Sequence, residues 1–261
     1  MGMSVLTLYM CKDRSHFKMK NFASVLGQEG IKQEVFIVSA EPLGIEGLRN
    51  VVVPVKRDWP LPLRVSYSVN AALRILRIKY GVELRGFDYL FKVDGDVLLP
   101  RDYVARLTST RAPVAGVGAA LLISVPFFLT ALRGVYPVKH CDDGYVSAVS
   151  VAMGAWLLSH EGLRLPPVGY DKPREFAYGV EYYRWGLSPL LLALMPLASR
   201  VLKLKPHERR RFKAHVVNAA GYLWAALHRL DKYNFHKQYR RMRNRHFAEK
   251  LFRSVLRWVV A

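Results

Sequence analysis

Short apolar runs that alternate with helical patterning constrain the fold of this chain more than any other feature. Residues 4–9 (SVLTLY), 34–38 (EVFIV), 50–55 (NVVVPV) and 89–93 (YLFKV) have the length and the β-branched or aromatic content of strands. Pro54 lacks an amide donor and puts the third run at a sheet edge. Residues 16–27 and 66–79 read as helices. The second carries Val69, Leu73, Leu76 and Ile78 at roughly helical spacing, with Gly81 as a stop. Alternation of this kind predicts an α/β fold: a mostly parallel sheet with helices on both faces. Ligands of such sheets sit beyond the carboxyl ends of the strands. The residues to examine are therefore Cys11 to Arg14 after the first run, Ser39 to Glu41 after the second, and Asp94, Gly95 and Asp96 after the fourth.

The last of these carries the most chemistry. Two carboxylates two residues apart at a strand end can both turn toward one hard cation, and Gly95 between them permits the bend. A Mg or Mn ion needs few protein oxygens and completes its shell with phosphate oxygens of a substrate. There it would neutralise a diphosphate leaving group. A turn bearing two solvated aspartates is the plainer alternative.

Composition limits the remaining classes. Of 261 residues, 51% are apolar, which excludes a disordered chain. Cys11 and Cys141 are too few for a disulfide framework, and a reducing compartment is the simpler expectation. The opening MGMSVLTLYM has no basic n-region and reads as a strand rather than a signal peptide. The net charge is +20, and residues 200–261 hold 17 Lys and Arg against 3 Asp and Glu, a local +14. Such a segment seeks polyanions: anionic lipid, nucleic acid or phosphorylated substrates. A solvated basic surface is the alternative. Residues 216–230 and 246–260 predict helices. The second sets Phe247, Leu251, Val255 and Trp258 on one face, with Lys250, Arg253 and Arg257 elsewhere on the wheel. Helices of this type lie on anionic membranes or pack their stripe on their own domain. Residues 112–132 contain no charge. They read as a strand and a buried helix, with a membrane span as the alternative, because Pro113, Gly116, Gly118 and Pro126 interrupt them. Residues 186–202 are marginal as a span.

The stretch YLFKVDGDVLLPRDYV resembles the D-x-D region of family-2 glycosyltransferases with the GT-A fold. The resemblance covers roughly residues 3–186 and implies a Rossmann-like GT-A sheet, followed here by a basic helical C-terminal appendage. The expected division is a transferase domain over 1–186 and a membrane-associating appendage over 187–261. Tyr9 with Lys12 and Arg14 is similar to the family's first strand and its basic exit. Ser39 and Glu41 stand near the family's base-contacting Asp, and Arg64 and Asn70 resemble its helix start near the nucleotide. By the same resemblance Asp94 helps to bind the nucleotide and the metal, and Asp96 is the main protein ligand of a divalent cation. The family's Gly-Glu-Asp-like motif opens a helix and supplies the catalytic base; Gly179, Val180 and Glu181 stand in that place. Glu181 and Arg184, one helical turn apart, form the candidate catalytic pair. A plain surface salt bridge is the alternative.

Asp171 and Glu175 are secondary base candidates. His140, Cys141, Asp142 and Asp143 read as a loop with solvated charges. Residues 154–156 (GAW) resemble an acceptor-lining turn, and His207 or His215 is a possible third metal ligand. The implied activity is metal-dependent direct displacement from a nucleotide-diphospho-sugar donor onto an acceptor, possibly lipid-linked. The enzyme would sit on the cytoplasmic face of an anionic membrane, with no specific nucleic acid as partner. A basic nucleic-acid-binding protein and a sugar nucleotidyltransferase are the alternatives. The latter expects a Gly-rich loop after the first strand, where this chain has none. No P-loop, G-x-S-x-G or H-E-x-x-H sequence is present.

Overall fold

The computed structural model describes residues 2–56, 58–155, 171–201 and 212–260. The chain divides into two compact units: residues 1–147 with 155–167, and residues 148–154 with 168–261.

The first unit is an α/β sandwich. Its six-stranded sheet has the order β3-β2-β1-β4-β6-β5. The strands are β1 (Ser4–Met10), β2 (Lys32–Ser39), β3 (Asn50–Val52), β4 (Tyr89–Asp94), β5 (Val114–Val117) and β6 (Ala120–Ser124). Strands β3, β2, β1 and β4 are mutually parallel, and β6 runs antiparallel to both β4 and β5. Helices α1 (Met19–Leu26) and α3 (Tyr103–Ser109) cover one face. Their Phe22, Val25, Tyr103, Val104 and Leu107 pack on Val5, Tyr9, Ile37, Phe91 and Val93 of the sheet. Helix α2 (Leu61–Tyr80) lies against β2 and β3, with Tyr80 edge-on to Phe36, whose side chain points opposite to that of Ile37. The central strands, buried on both faces, are largely apolar, with Thr7 on β1 and Lys92 on β4 as buried polar residues.

Several local expectations shift. Helix α2 begins five residues early because Pro60 and Pro62 suit a first turn, and it ends at Gly81 with φ 66°. Its buried stripe is Ser66, Val69, Ala72 and Leu76, so Ile78 is exposed. Strand β3 is only three residues long and stops before Pro54 at the sheet edge. Residues 112–132 are not a membrane span. They form the β5–β6 hairpin and α4 (Val125–Thr130), which Ser124 caps by accepting from the Phe127 amide. Cys11 and Cys141 are both buried and free.

The second unit is helical. It contains α6 (Lys172–Trp185), α7 (Pro189–Val201), α8 (Phe212–Leu227) and α9 (His236–Val260), while α5 (Asp142–Ala152) begins in the first unit. Helices α6 and α8 meet at two glycines. The Cα of Gly179 rests on the Asn218 carbonyl, and that of Gly221 on the Phe176 carbonyl. Tyr222 Oη donates to the Leu187 carbonyl at 2.9 Å, and Arg240 Nε to the Gly186 carbonyl at 3.0 Å. Among the described residues no helix is long and apolar enough to cross a membrane. A Cβ at Gly179 would collide with the Asn218 backbone. Gly179→Ala should therefore destabilise the full chain by about 1–3 kcal/mol, read as a lower denaturant midpoint in urea unfolding.

Candidate active site

The site is built on strand register. Strand β1 lies between β2 and β4, so Met10 pairs with both Val38 and Asp94 and the three strands end at one level. The exits are stitched together. The Cys11 amide donates to the Val38 carbonyl at 2.8 Å, the Ala40 amide to Lys12 at 3.1 Å, and the Gly95 amide to Met10 at 2.8 Å. Strand order diverges about β1, which makes this rim the topological switch point of the sheet. Gly95 is required there by close approach: a Cβ would lie 3.0 Å from the Met10 carbonyl and 3.3 Å from Tyr9 Oη. The Gly95 carbonyl accepts from Tyr9 Oη at 2.8 Å and from Asn21 Nδ2 at 3.1 Å, and the Asp94 amide donates to Ala119 at 2.8 Å. The turn is thus held from three sides. Asp96 is exposed, and Asp94 keeps 39% of its side chain open.

Behind Asp94 stands a residue that the patterning did not single out. The Lys92 side chain is 5% exposed, and its Nζ donates to Asp94 Oδ1 and to the Gly118 carbonyl, each at 2.8 Å. Burial alone would lower the lysine pKa, but Asp94, Asp142 and Asp143 together raise it, so Lys92 is a cation. Burial raises the Asp94 carboxyl above the usual range, Lys92 opposes this, and Asp96 and Asp143 add to it. Asp142 is likewise raised, first by burial and then by Asp143, against the pull of Lys92. Asp142 and Asp143 form the first turn of α5, not a loop of solvated charges. The positive end of a helix and a buried ammonium favour carboxylates at that place. Asp143 packs against the Cα of Gly118 in the β5–β6 turn, where a Cβ would displace it. Tyr136 presents a buried hydroxyl within electrostatic reach of Asp142 without a well-formed hydrogen bond. Two signals pointed here: a lysine two residues before Asp94 on the same strand face, and paired aspartates just before a helical apolar pattern.

The other residues expected near the nucleotide divide into accessible and enclosed ones. Arg14 and Glu41 are exposed on the exits of β1 and β2, with Arg14 Nη1 near Gly44. Arg64 is half-buried on the first turn of α2, and its Nε has no hydrogen-bond partner. Tyr9 has no exposed surface to offer a ligand; it supports the turn from beneath. Asn70 is also engaged. Its Nδ2 donates to the Tyr136 carbonyl at 2.9 Å and its Oδ1 accepts from the Tyr136 amide at 2.8 Å. Ser39 is buried, donating to the Glu41 carbonyl at 2.7 Å. Tyr9 and Asn70 thus commit polar atoms to backbone groups of neighbouring segments.

Glu181 and Arg184 lie in the second unit. Glu181 does not open a helix: α6 begins at Lys172, where Asp171 is the N-cap and accepts from the Arg174 amide at 3.4 Å. Glu181 is 3% exposed, and both of its oxygens are engaged, by Arg184 Nη1 at 3.3 Å and Tyr233 Oη at 2.9 Å. Arg184 also donates to the Asp231 carbonyl at 3.3 Å and stacks over the Tyr233 ring at 4.6 Å. The Glu181 carboxylate is thus enclosed, while the Arg184 side chain stays 32% exposed. Glu175 is buried and accepts from Asn218 Nδ2 at 3.3 Å. His215 lies on α8. Trp156 and His207 lie outside the described residues, as do the side chains of Leu251, Val255 and Trp258.

Among the described residues no three His, Cys, Asp or Glu side chains gather as a metal cage. What the rim offers is the exposed Asp96 carboxylate and one Asp94 oxygen left over from Lys92. Such a sparse set of hard oxygens suits Mg or Mn carried with a diphosphate.

The six-stranded, mostly parallel sheet and its helices are similar in fold to a solved mannosyltransferase. The mannosyltransferase PcManGT from Pyrobaculum calidifontis, solved in complex with GDP-Man and Mn2+, superimposes with a TM-score of 0.51 at 14% identity, over 97% of this chain and 86% of that one. TarS from S. aureus, residues 1–349 in complex with UDP, gives a TM-score of 0.44 at 13% identity, over 80% and 77%. No protein-family model and no curated protein matches the sequence. At such identities the likeness is one of fold.

Proposed function

We propose that the protein is a glycosyltransferase that moves a sugar from a nucleotide-diphosphate donor to an acceptor hydroxyl. One observation carries the proposal: the Asp94-Gly95-Asp96 turn closes the carboxyl end of β4 at the switch point, with a second carboxylate pair beside it. In this reading Asp96 and the open oxygen of Asp94 would hold a divalent cation, whose charge would offset that of the diphosphate leaving group. Arg14, Glu41 and Arg64 stand around the same unit as nucleotide contacts. The base is Asp142 or Asp143. One of these carboxylates takes the acceptor proton, the acceptor oxygen bonds to the anomeric carbon, and the bond from that carbon to the diphosphate oxygen breaks. The aspartate pair is preferred to Glu181 because it shares its surroundings with Asp94, while both Glu181 oxygens are already engaged.

The acceptor is proposed to be lipid-linked and met at an anionic membrane surface. Val216, Leu223, Trp224 and Leu227 are 53%, 60%, 41% and 80% exposed and lie on one face of α8. The opposite face carries Gly221 and Tyr222 into the unit. An outward apolar stripe with a Trp, in a segment of net +14, suits the interface of an anionic bilayer.

Calorimetry with UDP and GDP should show binding that depends on Mn2+ and is lost in Asp96→Ala. The same titrations on wild type without any Mn2+-dependent binding would sink the transferase reading. With a donor in hand, amide substitution of the base, Asp142→Asn or Asp143→Asn, should lower kcat by about 10²–10⁴ while nucleotide affinity is kept. A drop of that size in Glu181→Gln instead, with its melting temperature unchanged, would move the base to α6. Co-sedimentation with phosphatidylglycerol vesicles should fall roughly tenfold in a Trp224→Ser, Leu227→Ser double variant.

A further inference from the structure

Helix α2 buries one side on the sheet and turns an apolar line outward on the other. Tyr67, Ala71, Arg74 and Ile78 follow at i, i+4, i+7 and i+11, opposite the buried Ser66, Val69, Ala72 and Leu76. Tyr67 is 43% exposed and Ile78 68%. Trp59 stands edge-on to Tyr67, with ring centroids 5.3 Å apart, and carries the line past the start of the helix. A helix of 20 residues is about 30 Å long, so the line is an extended face and not one stray side chain. Trp59 lies on the connection from β3 to α2, at the carboxyl end of the parallel strands, the end that also carries the Asp94-Gly95-Asp96 turn.

The charges of the helix are of one sign. Its sequence holds Arg64, Arg74, Arg77 and Lys79 and no Asp or Glu. Arg74, Arg77 and Lys79 are exposed, and among the described residues none of the three has a carboxylate partner. The outer face of a helix in water ordinarily mixes both charges, as α3 does with Arg106 on Asp102 at 3.2 Å. Cations without acids, beside an outward Trp, Tyr and Ile, fit the headgroup region of an anionic bilayer. Arg74 stands within the apolar line, where its long stem lets the guanidinium reach phosphates while the methylenes stay among apolar groups. A second copy of the chain brings no acid on α2 to meet these cations. A nucleic acid would answer the charge but leave Ile78 in water.

We propose that the outward face of α2 is a membrane contact of the first unit. Trp59, Tyr67 and Ile78 enter the headgroup boundary of an anionic bilayer, and Arg74 and Arg77 take lipid phosphates. This surface is separate from the α8 stripe, which belongs to the second unit. It rests on neither that stripe nor the sugar-transfer reading.

The test is co-sedimentation of full chains with vesicles of phosphatidylglycerol, set against phosphatidylcholine. Two double variants, Tyr67→Ser with Ile78→Ser and Arg74→Gln with Arg77→Gln, should each lose at least about tenfold in affinity for phosphatidylglycerol. Their melting temperatures should stay at the wild-type value, because all four side chains lie on the outer side of the helix. A local readout comes from a polarity-sensitive dye on Ile78→Cys, since Cys11 and Cys141 are buried. Its emission should move to the blue on phosphatidylglycerol vesicles and be quenched by brominated lipid. Unchanged dye emission on vesicles that carry the chain down, or α2 variants that bind as wild type does, overturns the proposal. A dimer in sedimentation velocity that Tyr67→Ser with Ile78→Ser abolishes would assign the face to self-association and overturn it as well. Equal loss of duplex DNA and vesicle binding in Arg74→Gln with Arg77→Gln, with no effect of Tyr67→Ser and Ile78→Ser, would do the same in favour of nucleic acid. Loss of vesicle binding in Trp224→Ser with Leu227→Ser alone would leave the α8 contact standing and remove this one.

Discussion

The parallel pairing of β1 with β4 is the constraint on which the first unit depends. It sets Met10 opposite Asp94, and the same β1 sets Met10 opposite Val38. Three chain exits therefore reach one rim, and each brings polar residues that the apolar strand interiors exclude. The Gly95 amide on the Met10 carbonyl then locks the acidic turn to its neighbour. A side chain at residue 95 would separate the two, so the register and the glycine are one requirement seen at two levels. The antiparallel β6 completes the arrangement by bringing the Ala119 carbonyl to the Asp94 amide and the Gly118 carbonyl to Lys92.

Electrostatics follows from that geometry. A carboxylate at the end of a buried strand is expensive to ionise, and a second pair nearby makes it more so. Lys92 offsets this by lying on the same strand face as Asp94, two residues away. The first turn of α5 contributes its orphan amides and dipole to Asp142 and Asp143. The acidic character of the rim is thus sustained by a cation and a helix end, both supplied by the fold. A site built this way keeps carboxylate oxygens open at the rim.

The second unit obeys a different rule. Gly179 and Gly221 let the backbones of α6 and α8 touch, which turns the α6–α8 contact into close van der Waals packing with buried polar braces such as Glu181 with Arg184 and Tyr233. Because small residues serve the inner face of α8, its large apolar residues are left outward. That inversion is what leaves α8 with an exposed apolar stripe.

The strand-helix alternation, the D-G-D position and the basic tail were legible in the sequence because each depends on local period, composition or a strand end. The D-G-D turn was legible for a further reason: an apolar strand cannot continue through two aspartates. Residues 112–132 were ambiguous, since a buried hairpin and a membrane span are both uncharged, and only the pairing of β6 with β4 decides between them. The roles of Tyr9, Asn70 and Glu181 were not legible, because a polar side chain looks the same in sequence whether it faces a ligand or satisfies a buried backbone group or charge. Lys92 and the Asp142–Asp143 pair lie about fifty residues apart, and nothing local links them. By itself the sequence determined which residues sit at strand ends and that the tail is cationic, as those follow from neighbours along the chain. The tertiary structure alone decided which carboxylates share one cation and which polar residues are enclosed, because both depend on what the fold brings together from distant segments.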